Sequence, residues 1–126
     1  AAQAGGKSPA YAATMQGMYD TRRSHFQMLV DSGVLLLMGT DSGGYQDHGT
    51  IAGEIDLWLR WGAPRDFTIN AATWVSQRYL GYPGLVDGGP ADFLLLDDDP
   101  RMNPLALSTP ARVFIGGVSA WERPPA

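Results

Sequence analysis

The residues best equipped for chemistry stand together at Thr40-Asp41-Ser42-Gly43-Gly44, directly after the apolar run Val34-Leu35-Leu36-Leu37-Met38. A carboxylate in that setting, with two glycines beside it, leaves room for a metal, a water or a substrate to approach. His48 follows in the same stretch, where it could contact substrate or order the site, although a His-Gly pair ahead of a helix equally suits a structural role. Ser42, Asp47 and His48 together supply the residue types of a serine hydrolase. No Gly-x-Ser-x-Gly elbow or oxyanion motif accompanies them, which argues against that chemistry. Asp97-Asp98-Asp99 could suggest calcium, but without the spaced ligands and glycine of a calcium loop it reads as a solvated acidic turn. Asp41 itself has a plain reading as a turn carboxylate. His25 reads as a packing or surface residue inside a helix, and Trp58, Trp61 and Trp74 as core.

The elements that must position Asp41 can be read from spacing. Ala1 to Pro9 is a loose lead-in. Tyr11 to Ser32 has helical periodicity, with Met15, Met18, Phe26, Leu29 and Val30 apolar and Gly33 at the stop position. Gly17 costs that helix about 1 kcal/mol relative to Ala and could divide it in two. The run at 34–38, five apolar residues bounded by glycines, predicts a strand buried on both faces, as in parallel sheets covered by helices; α/β folds keep their chemistry at such strand ends. A second helix is expected from Thr50, as its cap, to Trp61, with Ile51, Ile55, Trp58 and Leu59 on one side and an Asp56 to Arg60 pair on the other. Pro64 opens a third that runs to Leu80-Gly81. Past Gly84 the texture changes to short strands. Phe93-Leu94-Leu95-Leu96 is one, and Val113-Phe114-Ile115 and Val118 to Trp121 flank Gly116-Gly117, a two-residue hairpin turn.

Composition limits the partners. The 126 residues carry 17% charged side chains, against a typical share of about 25%, and 44% apolar ones, so the chain looks built to pack against something else. A net charge of −4 and the lack of a basic cluster exclude nucleic acid as the expected partner. There is no cysteine, hence no disulfide, thiolate zinc site or cysteine nucleophile. No secretory leader and no apolar stretch of the roughly 18 residues that span a membrane can be discerned, so a cytoplasmic protein with no membrane partner is the expectation. One strand among helices cannot satisfy its own edges, so the chain reads as incomplete, with self-association, a homo-oligomer or pairing of its open strand edges with another chain expected.

In order and spacing, several segments together resemble a known family. They are His25 through Gly43, His48-Gly49, Glu54, Asn70-Ala71-Ala72-Thr73, Leu80-Gly81, the stretch from Gly89-Pro90-Ala91-Asp92 to Asp97, Asp99-Pro100 and the Gly116-Gly117 turn. From about residue 20 to residue 121 the chain is similar to the C-terminal end of the metal-dependent amidohydrolase superfamily, closest to its imidazolonepropionase-like and prolidase-like members. The resemblance implies an α/β fold, the C-terminal segment of a (β/α)8 TIM-type barrel plus part of a small β-sandwich, incomplete as it stands. Residues 1–83 would be the last helix-strand-helix units of the barrel and residues 84–126 the returning strands of the sandwich. The missing remainder would be an N-terminal segment.

The resemblance also implies hydrolysis of an amide-type C–N bond in a peptide-like or cyclic small molecule. Asp41 would be both metal-site carboxylate and proton carrier, with Ser42 and His48 facing substrate. The implied cofactor is a divalent metal, zinc by preference, one or two ions in the complete enzyme. Such a metal lowers the pKa of its bound water toward about 7, and loss of a proton carrier costs on the order of 10²-fold in rate. The chain departs from the family pattern in having two histidines, His25 and His48, neither in a His-x-His pair, and Gly89-Pro90 where the family has a lysine. Catalytic zinc takes three protein ligands, so these 126 residues are expected to bind no zinc and to be inactive alone.

Overall fold

A computed structural model describes residues 8–44 and 46–125. Of the expected lead-in, residues 1–7 lie outside the described residues. The chain forms two compact units, Ala1–Leu35 and Leu36–Ala126.

The first unit is built on α1, Pro9–Asp31. Ser8 caps it by accepting a hydrogen bond from the Tyr11 N–H at 3.3 Å, and Pro9 takes the first helical position, where a missing N–H costs nothing. The helix ends as expected, with Gly33 at φ 71°. It runs unbroken through Gly17, so the possible division there does not occur. Its surface is braced locally: the Gln16 amide donates to Asp20 at 2.8 Å and the Arg22 guanidinium lies 3.5 Å from the centre of the Tyr19 ring.

In the second unit three further helices precede a sheet. They are α2 (Ile51–Arg60), α3 (Arg65–Ala72) and α4 (Trp74–Tyr79). Asp56 and Arg60 pair one turn apart at 2.8 Å, as their spacing predicts. Thr50 precedes α2 but does not cap it; its hydroxyl turns back and donates to the Asp47 carbonyl at 3.1 Å. The single helix expected from Pro64 to Leu80 is broken at Thr73, whose φ of −131° and ψ of −98° are not helical. The break coincides with bonds that reach α3 from outside it. The Ala71 carbonyl accepts from the Ser76 hydroxyl at 2.6 Å and from the Met38 N–H at 3.3 Å, so it is occupied from outside the regular helical pattern. A small core gathers where α2 meets α3 and the 3-10 turn Pro104–Ser108, with Ile55, Ile69, Ala71 and Ala106 buried and Thr68 fully enclosed. The Thr68 hydroxyl is satisfied by the Pro64 carbonyl at 3.0 Å.

The sheet has three antiparallel strands in the order β1 (Phe93–Leu95), β2 (Arg112–Ile115) and β3 (Val118–Glu122). Phe93 pairs with Phe114, their rings stacked at 4.5 Å, and Arg112 pairs with Glu122 in register and through a 2.6 Å ion pair. Gly116 and Gly117, at φ 57° and 79°, make the tight turn that the sequence predicts. Asp92 ties that turn down, its carboxylate accepting from the Gly116 N–H at 2.6 Å, while the Gly117 N–H donates to the Ala91 carbonyl at 3.0 Å.

This architecture corrects the expected fold class. Val34 to Met38 is not a strand buried on both faces: the segment is irregular, Leu35 is 59% exposed, and Leu36, Leu37 and Met38 are half-buried. An extended segment becomes a strand only beside another strand, and none pairs with it among the described residues. The observed sheet is open and wholly antiparallel, so neither a segment of a (β/α)8 barrel nor a second sheet of a sandwich is present among the described residues. No helix among them is long and apolar enough to cross a membrane.

Candidate functional site

Asp41 sits in a loop that holds its own shape. It is the non-glycine residue with positive φ among the described residues, at 52°, in the left-handed region that Asp tolerates better than most side chains. Its neighbours brace that conformation. The Ser42 hydroxyl donates to the Asp47 carbonyl at 3.0 Å and shares a 2.5 Å hydrogen bond with the Thr40 hydroxyl, and the Gly43 N–H donates to the Gln46 carbonyl at 3.1 Å. The His48 ring lies over Gly43, so close that a Cβ added there would stand 3.5 Å from its Cε1. Asp41 and His48 are each exposed on this stretch, whereas the Ser42 hydroxyl is engaged with Thr40 and Asp47.

The donor set for a metal does not assemble around Asp41. Among the described residues no three His, Cys, Asp or Glu side chains gather in a way that could hold an ion. His25 belongs to α1, in the other unit. A single carboxylate does not make a catalytic zinc site, so the residues present do not by themselves fit the implied metal. The acidic run at 97–99 does not fit one either, because its carboxylates diverge to different partners. Asp97 pairs with Arg123 at 2.6 Å, Asp98 accepts from the Asn103 amide at 2.8 Å, and Asp99 takes Arg101 in a forked pair at 2.7 to 3.1 Å. Hydrogen bonds from the Arg101 side chain and backbone hold the Asp99 carboxyl below its ordinary value and raise Arg101 above its own.

A second feature, not anticipated from sequence, is a cleft of about 940 Å³ lined by residues of α3 and α4 and of β1 and β2. Neither Asp41 nor His48 lines it. Its walls are largely apolar, with Ile69, Leu80, Phe93, Leu96 and Phe114 among them, and Trp74 at the lining is 47% exposed, where core was expected. Most polar groups in it are satisfied: Thr73 and Ser76 donate to the Ile69 and Ala71 carbonyls, and Asp92 holds the hairpin turn. Gln77 differs, since its Oε1 is buried with no hydrogen-bond partner. Nothing in the spacing of Trp74-Val75-Ser76-Gln77 marks Gln77 in advance, because the vacancy depends on what folds over it.

No family model matches the chain. It is 37% identical over 116 residues to uncharacterized proteins of Mycobacterium bovis and Mycobacterium tuberculosis, an alignment that takes in 92% of this chain. The chain spans 31% of the length of these curated relatives.

Proposed function

We propose that this chain is the Asp41-bearing part of a longer metal-dependent amidohydrolase acting on an amide-type C–N bond in a peptide-like or cyclic small molecule in the cytoplasm. The observation that carries the reading is the Asp41 loop. A carboxylate held at positive φ by a set of local hydrogen bonds, and left exposed, is the kind of backbone outlier that collects at working sites. The ordered motif resemblance in the sequence supports the same reading. In it, Asp41 accepts the proton of the attacking water as that oxygen bonds to the amide carbon, then delivers it to the nitrogen as the C–N bond breaks. His48, on the same loop, faces the substrate. A divalent ion, zinc by preference, would activate the water, its remaining ligands coming from polypeptide beyond these residues, as the length of the relatives allows.

The test is Asp41→Asn in a full-length protein of this kind, assayed on dipeptides and cyclic amides. Asn also tolerates the left-handed conformation, so it removes the charge and keeps the turn. Turnover is expected to fall on the order of 10²-fold or more. Undiminished turnover removes Asp41 from the role.

A non-catalytic docking module is the second reading, favoured by the sheet itself. β1 and β3 each leave one edge unpaired among the described residues, and β3 is exposed along its whole length, Trp121 included. Under that reading Asp41→Asn leaves function intact, while charges placed on β3 abolish association with the partner.

A further inference from the structure

The cleft formed by α3, α4 and the sheet has a volume within the range of small-molecule sites, roughly 300 to 1,000 Å³, and the mostly apolar lining of one. Its singular group is Gln77. A buried acceptor without a donor is costly to leave unmade, and proteins leave few of them. The atom is closed off by the loop after α4, where the Oε1 lies 3.4 Å from the place a Cβ on Gly84 would take. That loop is unusual in build. Gly81, Gly84 and Gly88 all have positive φ, between 77° and 82°, and Leu85 and Val86 between them are more than half exposed although Leu85 lines the cleft. The Gln77 side chain thus has no hydrogen bond to give up if its amide turns toward the cleft, and its cover has glycine pivots on both sides.

We propose that this cleft is a binding site for a small, largely apolar molecule carrying one N–H or O–H donor, and that Gln77 Oε1 takes that donor once the 81–89 loop shifts. The apolar body rests on Ile69, Leu80 and the stacked Phe93–Phe114 pair. The site is separate from Asp41, and its fate does not depend on the amidohydrolase reading.

Indole and indene supply the test, being closely matched in shape while indole alone carries an N–H. Each is titrated into the isotopically labelled 126-residue chain and followed through the backbone amide resonances. Saturable shifts are expected at residues 77, 80, 84, 85 and 93 with both probes, and indole should bind roughly fivefold more tightly, the worth of one neutral hydrogen bond. Gln77→Met keeps the length of the side chain and removes the acceptor, so it should erase the preference for indole while indene binds as before. Equal affinity of the two probes for the unaltered chain would overturn the proposal, and that comparison requires no variant to fold. Absence of saturable binding by either probe would overturn it as well.

Discussion

Asp41 and Asp99 show how differently two exposed carboxylates can be employed. Asp41 occupies a conformation that L-residues disfavour, at a cost of about 1 kcal/mol that glycine would not incur. Asp41→Gly is therefore expected to raise stability slightly, by up to about 1 kcal/mol in a denaturant titration, even as it removes the proposed proton carrier. A variant that loses stability instead would show that the carboxylate itself holds the loop. Asp99 is tied to Arg101 by hydrogen bonds that favour its charged form, so its folded-state pKa lies below the ordinary 3.8. A depressed carboxylate stabilises the fold above its unfolded pKa and ceases to as pH falls through the folded one. The Asp99 side chain should accordingly titrate below 3.8 by NMR, and Arg101→Ala or high salt should move the midpoint up. Because both partners are exposed, global stability should barely register the change.

At the scale of the element, two glycines behave in opposite ways. Gly17 lies inside α1, its φ is not positive, and a Cβ added there meets nothing within 4 Å. Gly17→Ala should stabilise α1 by roughly 0.5 to 1 kcal/mol, measured as a rise in the thermal midpoint of the helical signal. Gly117 has space as well, its nearest neighbour being the Ala91 Cβ at 3.7 Å, but its φ of 79° is the obstacle. A β-branched residue there should cost more than 1 kcal/mol. The same turn depends on Asp92, half-buried and bonded to the Gly116 N–H at 2.6 Å. Asp92→Ala leaves that exposed N–H to water and should destabilise the Leu36–Ala126 unit by about 0.5 to 1.5 kcal/mol, with faster amide exchange at Gly116 as the local signature.

Across the whole molecule the imbalance is between apolar content and burial. The buried core of the second unit is a handful of side chains, Thr68 among them, whereas Leu94, Leu95, Ile115, Val118 and Trp121 on the sheet are all exposed. Such a surface, beside unpaired strand edges, favours association. The weight-average mass of the 126-residue chain in sedimentation should rise with concentration, and Ile115→Lys with Trp121→Lys should suppress the rise. The same chain is expected to retain no zinc in stoichiometric amount, since no donor set gathers among the described residues. Elemental analysis that finds one tightly held ion per chain would defeat that expectation.

What the amino-acid order determined by itself was local. The long first helix with its Gly33 stop, the Asp56–Arg60 pair and the Gly116-Gly117 turn each follow from residues within a few positions of one another, where propensity and backbone freedom act directly. The turn that follows the apolar run at Asp41 was legible for the same reason. Only the tertiary structure decided that Val34 to Met38 is no strand, because a strand is defined by the partner it pairs with and apolar residues alone do not supply one. It likewise decided the break at Thr73, beside which the Met38 N–H reaches the Ala71 carbonyl, and the Asp92 tie to a turn 24 residues away. The unpaired Gln77 oxygen belongs with these, because whether a buried acceptor meets a donor is settled by the folded surroundings and not by residue type or spacing.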